Sequence, residues 1–72
     1  MTPQVWLHRQ DDIVMRTVQR KTEEGIEVLL VGSTGEHAHR LFASAEEALT
    51  FREALHSRIQ QRGFTLAWTT GG

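Results

Sequence analysis

The stretch SAEEALTFREALHSRIQQRGF, residues 44–64, carries the signals for both ends of one helix. Ser44 can accept a hydrogen bond from the free backbone N–H three residues on. Glu47 occupies that third position and can reach back, which predicts a capping box. Glu46 and Glu47 lie where the helix dipole is positive, and Arg58 and Arg62 where it is negative. Gly63 can take the left-handed conformation that ends a helix, and Phe64 would then fold back toward Ile59 in a Schellman close. Between these ends, Ala48, Phe51, Leu55 and Ile59 recur at three- and four-residue spacing, with Ala45 and Arg62 at the ends of the stripe. One long helix with a single apolar face is expected.

The chain before it reads as strands. Val5, Leu7 and Arg9 alternate with Trp6 and His8, and Gln10-Asp11-Asp12 supplies a polar turn. Residues 13–21 are rich in β-formers. Here Ile13, Met15 and Thr17 point one way and Val14, Arg16, Val18 and Arg20 the other, and the pattern does not decide which set faces the core. Thr22 to Gly25 forms the next turn, with Gly25 placed for a positive φ. Residues 26–31 form the most apolar strand, with Ile26, Val28 and Leu30 on one face and Glu27, Leu29 and Val31 on the other. Gly32-Ser33-Thr34-Gly35 is a turn by composition. Residues 36–42 form a fourth strand, with Ala38, Arg40 and Phe42 opposed to His37, His39 and Leu41. Phe64 to Trp68 reads either as a short final strand or as an extended tail, and residues 69–72 as a flexible end. Turns this short join antiparallel neighbours. The expected fold is α+β: an antiparallel four-stranded meander with the helix across one face. It forms a single domain, residues 1–72, with its core at 5–68.

Composition narrows the function classes. Seventy-two residues bury only roughly 60% of the surface that the unfolded chain exposes, so further burial against another subunit would stabilise the fold. There is no cysteine, hence no disulfide or thiolate chemistry. Residues 1–6 lack the basic and apolar regions of a signal peptide, and a cytoplasmic protein is expected. The longest aliphatic run, Val28 to Val31, is far too short to span a membrane. Eight basic residues stand against nine acidic ones, which gives no general attraction to polyanions.

No set of residues makes a convincing catalytic constellation. Asp11-Asp12 and Glu23-Glu24 are carboxylate pairs in turns, where solvent keeps both ionised. The glycine-rich turn at 32–35 links two strands and no lysine follows, so it lacks the context of a phosphate loop. The helix-start amides after Ser44 face Glu46 and Glu47, which already occupy that field. His37 and His39 form an H-x-H pair whose rings would share one face of a strand. A metal would need a third ligand, from His8, His56 or an acid, and the simpler reading is a solvated surface. No enzyme activity and no cofactor are expected. The terminal Gly71-Gly72 is of the kind that ubiquitin-like modifiers activate, but those folds place their helix after the second strand, and here it follows four.

Two resemblances can be drawn. The run LFASAEEAL at 41–49 followed by RGF at 62–64 resembles short uncharacterised proteins of bacteria and their phages, which implies an α+β fold and no particular activity. In strand order the chain is similar to the single-strand-binding transcriptional coactivators, whose sheet precedes a C-terminal helix; their basic binding face is not clearly matched.

One helix seals one side of a sheet. Leu29 and Val31, opposite Val28 and Leu30, and Trp6, opposite Val5 and Leu7, are left over. These leftovers point to a non-enzymatic protein–protein interaction module, self-associating as a homodimer or acting as a regulator or inhibitor that occupies a partner's surface. Its expected contact residues are Trp6, Leu29, Val31 and Trp68, with Arg16, Arg20 and Arg40 as polar ones. The alternative partner is single-stranded nucleic acid, held by arginines and an aromatic on the sheet; a sequence pI near 6.4 and the acidic turns weigh against it.

Overall fold

The computed structural model describes residues 3–70. Its element order is β1 (Gln4–Gln10), β2 (Ile13–Thr22), β3 (Gly25–Gly32), β4 (Gly35–Phe42), α1 (Ala45–Gln61) and β5 (Thr65–Thr69). The sheet order is β4-β3-β2-β1-β5, and every neighbouring pair is antiparallel. The α+β architecture and the meander are as the sequence predicts. The open choice at the C-terminus resolves as a fifth strand on the far edge, beside β1. Thr69 pairs with Trp6, and Thr70 exchanges two bonds with Val5: its N–H donates to the Val5 carbonyl at 3.0 Å, and its Oγ1 accepts from the Val5 N–H at 2.8 Å. Thr69 therefore ends β5, and Thr70, a turn residue, is tied to β1 by these two bonds. The Gly71-Gly72 pair lies outside the described residues.

The helix ends are built from the expected side chains. Ser44 is the N-cap, its Oγ accepting from the Glu47 N–H at 3.2 Å. Glu47 reaches back to the Ser44 hydroxyl, which donates to Oε1 at 3.2 Å, so the return bond closes on the side chain and not on the backbone N–H of a regular capping box. At the other end Gly63 has φ 98°, its N–H donates to the Gln60 carbonyl, and the Phe64 N–H donates to the Ile59 carbonyl. This is the Schellman pattern. In the β2–β3 turn Gly25 (φ 144°) serves twice, because a Cβ there would stand 2.3 Å from the Phe42 carbonyl oxygen.

The crossover decides where the core lies. The chain leaves the sheet at β4 and re-enters at β5 on the opposite edge, so α1 must cross all the strands between. Phe51, near its start, packs on Phe42 of β4 with centroids 5.2 Å apart. Arg52 then bonds Gln19 of β2 at 2.9 Å and lies 4.2 Å over the Trp6 ring of β1. Farther on, His56 meets Thr17, Trp6 and His8, and the Arg62 carbonyl accepts from Gln10 Nε2 at 3.2 Å. The core under the helix is Val28, Leu30, Ala48 and Ile59, joined by the buried polar residues His8 and Thr17. Of the stripe read from the sequence, Leu55 and Ile59 line one cleft with Leu30, Phe51 packs on Phe42, and Ala48 is fully buried, as is Val28.

Candidate functional site

Cross-strand partners share a sheet face, so the register sorts every strand residue. On the helix side lie Trp6, His8, Met15, Thr17, Gln19, Ile26, Val28 and Leu30. On the open side one row runs Trp68, Leu7, Arg16, Val31; the next runs Val5, Val18, Leu29, His39; a third runs Arg20, Glu27, Leu41; and Arg9 pairs with Val14. In β1 and β2 the more aliphatic set therefore faces away from the helix. The helix side of these two strands holds Trp6, His8, Ile13, Met15, Thr17 and Gln19, while Val5, Leu7, Val14 and Val18 look outward together with Arg9, Arg16 and Arg20. Trp68 is 54% exposed and Leu41 47%. Leu7, Val14, Arg16 and Val31 frame a shallow hollow of about 230 Å³ on this face.

Four of the expected contact residues, Leu29, Val31, Trp68 and Arg16, are brought together here, with Arg20 beside them. Two are not. Trp6 sits on the helix side, under Arg52 and edge-on to His56 at 5.5 Å. Arg40 pairs with Val28, which puts it on the helix side too, and its Nη1 donates to the His39 carbonyl at 2.9 Å. The sequence reads Trp6 as a leftover apolar residue and Arg40 as a polar contact, because alternation separates two sets without saying which set the helix covers. The missed residues are Val5, Leu7, Val14 and Val18. Their aliphatic alternation was the available signal, and it reads equally well as a core face.

The H-x-H pair is divided. The β3–β4 register slips between Leu30 and Val31, whose partners are Ala38 and Glu36, so His37 is the extra residue of a bulge. His37 turns to the helix side: a Cβ on Gly32 would lie 2.5 Å from its Nε2, and the ring shares a cleft with Met15 and Leu55. His39 stays on the open face, 2.7 Å from Glu27 Oε2. The expectation that both rings project together fails at this bulge. Among the described residues no group of three or more histidines or carboxylates is placed to hold a metal.

Charge on the open face is largely internal. Glu27 accepts from Arg20 Nε with one carboxylate oxygen and contacts His39 with the other. The hydrogen bond from Arg20, and after it that from His39, holds the Glu27 carboxyl below its ordinary range. Arg9 donates through Nε to the Asp11 carbonyl at 2.9 Å. Arg16 is the exposed arginine that lies in the middle of the apolar rows.

Beneath the helix is a different kind of cluster. The His8 and His56 rings lie 4.7 Å apart, and His56 Nε2 is 3.0 Å from Thr17 Oγ1. His8 is 1% exposed and neither ring nitrogen has a hydrogen-bond partner. Burial lowers the pKa of His8; burial, then His8 and Arg52, push His56 down to about 4. A buried imidazole on β1 and a partly buried one on the inner side of α1, both disfavoured in the charged form, make a pH-sensitive packing element. They are not an acid–base pair open to a substrate.

Comparison with protein-family models, curated proteins and solved structures finds no match to this chain. No helix of the described residues is long and apolar enough to cross a membrane.

Proposed function

We propose that the chain is a non-enzymatic binding module that presents the open face of its sheet to another protein, in the first place a second copy of itself. The observation that carries this reading is the placement of the aliphatic residues of β1 and β2: Val5, Leu7, Val14 and Val18 face outward among Arg9, Arg16 and Arg20, while the helix side of these strands holds His8, Thr17 and Gln19 beside Trp6, Ile13 and Met15. A face meant for water would be expected to show the reverse alternation. Five strands of this length present roughly 500–600 Å² in plan, a little below the ~800 Å² that each partner contributes to a standard interface. Trp68 and Leu41 stand out from this face as natural anchors, and Arg16 in its midst can bond a partner's carboxylate. The edges are less suited. β4 carries a bulge, Glu36, His37, His39 and Arg40, and β5 is only five residues long. As a regulator or inhibitor such a chain would act by covering a partner's surface.

The face supports nucleic acid less well. Glu27 neutralises Arg20, and Arg40 lies on the other side. Sedimentation equilibrium from micromolar to millimolar concentration tests the proposal. A mass that rises to that of a dimer, and stays monomeric in the Leu29→Arg, Val31→Asp double variant with its helix content intact, is the expected result. A strict monomer throughout removes the self-association. Salt-sensitive binding of an oligonucleotide that Arg16→Ala weakens would move the assignment to the other partner.

A further inference from the structure

A helix that crosses a sheet obliquely cannot cover its corners. The corner between the second half of α1 and the β3–β4 hairpin forms a cleft of about 520 Å³, within the roughly 300–1,000 Å³ typical of small-molecule sites. Met15, Leu30, Leu55, Ile59 and Phe64 are its apolar lining, and Ser33 and Thr34 close the hairpin end. Every ionisable residue along it is basic: His37, Arg58 and Arg62, with no carboxylate among them. Arg58 and Arg62 are one helical turn apart on the flank that carries Leu55, so both guanidiniums can serve one anion. They are not consumed elsewhere. The ion pairs among the described residues belong to Glu27, on the other face. The last helix carbonyls, which might otherwise draw the arginines, accept from the backbone N–H groups of Arg62, Gly63 and Phe64. His37 reaches the cleft only because of the bulge and because Gly32 leaves room for its ring.

From this juxtaposition of an apolar floor and an all-basic rim, the geometry points to a site for a small apolar carboxylate, its chain or ring lying on Leu30, Leu55 and Phe64 and its head group between Arg58 and Arg62. The site is on the helix side of the sheet, so it is independent of the protein-binding face.

The probe is sodium decanoate below its micelle concentration, added to the full chain and followed by amide chemical shifts. Saturable changes are expected at Leu30, His37, Leu55 and Phe64. 1-Decanol, with the same chain and no charge, should bind at least about fivefold more weakly, as a charge-assisted contact at a partly open rim implies. The Arg58→Gln, Arg62→Gln double variant should remove that difference. Both residues are exposed, so it should keep the parent's circular dichroism and melting temperature. No saturable change up to millimolar decanoate, changes confined to Leu29 and Trp68 on the other face, or a double variant that binds decanoate as the parent does would each overturn the proposal.

Discussion

The two faces of this sheet are made of different materials, and the helix covers only one of them. The helix side joins a small aliphatic core, Val28, Leu30, Ala48 and Ile59, to a polar cluster of His8, Thr17, Gln19, Arg52 and His56. The open side is a lattice of Val5, Leu7, Val14, Val18, Leu29 and Val31 with Arg9 and Arg16 among them, bordered by the Arg20–Glu27–His39 network. Hydrophobicity alone would have put the helix over the second set across β1 and β2. What selects the first is the most apolar strand: Val28 and Leu30 in β3, with Ile26, outweigh Leu29 and Val31 across a strand that also carries Glu27. Once β3 is oriented, the antiparallel register orients its neighbours. A strongly patterned central strand can thus dictate which face of its weaker neighbours is buried, and leave their aliphatic residues on the uncovered side.

The sharpest test of that difference is to remove equivalent bulk from each side. Ile59→Ala should cost about 3 kcal/mol by lost burial and an unfilled hole, a large share of the stability of a domain this size. Leu29→Ala on the open face, measured at a concentration where the chain is monomeric, should cost less than about 1 kcal/mol. Urea midpoints report both, and equal losses would mean that the open face is covered by the chain itself.

The next effect belongs to the helix side alone. His56 is held at about 4 when folded against an ordinary value of 6.5. Between these values the unfolded chain binds more protons, so stability should be full above pH 6.5, fall as the pH drops through the window, and level off below about 4. Solvent screening of a partly buried ring limits the loss to about 1–2 kcal/mol. The groups that face His56 are His8 from β1, Thr17 from β2 and Arg52 from its own helix, with no carboxylate among these contacts to stabilise an imidazolium. Thermal melts at pH 7 and pH 4.5 measure the effect, and a flat profile would remove the cluster from the comparison.

Somewhat smaller is the gain expected from His8→Leu. The buried ring has two unpartnered nitrogens, and replacing it with an apolar side chain of similar size should stabilise the fold by about 1 kcal/mol and flatten the acid limb. A loss of stability would show that the ring's contact with His56 outweighs its desolvation. Smallest of all is the open-face ion network. Arg20→Ala should leave the melting temperature within experimental scatter, because an exposed pair contributes little.

These contrasts also mark how far the sequence could be read. The helix was legible to the residue because its signals are local: Ser44, Glu47, Gly63 and Phe64 act within one turn of each end. The turns at Asp11-Asp12, Gly25 and Gly35 follow from backbone chemistry in the same way. Burial of the faces was not local. The sets of β2 residues could be listed by alternation, but only the pairing of Thr17 with Leu30 and of Trp6 with Thr17 says which set meets the helix. The bulge that sends His37 and His39 to opposite faces has no turn residue to announce it; it arises where β4 adjusts to the end of the β3 ladder. Leu29, Val31 and Trp68 mark the open face in the sequence, while Trp6 lies on the helix side, where an indole beside a histidine gives no hint of being covered.

The pairing of Val5 with Thr70 has a further consequence. It brings together two positions 65 residues apart in sequence, so the first strand cannot complete its ladder until β5 is present. It also means that the described ends of the chain lie side by side. Joining them with a short linker and opening the chain at the exposed Ser33-Thr34 turn should give a circular permutant with the same native contacts. In that permutant β5 and β1 become local partners, while β3 and β4 become the distant pair. If the permutant matches the parent in stability but folds at a different rate, the two faces owe their roles to side chains alone and the order of the strands along the chain is free to change.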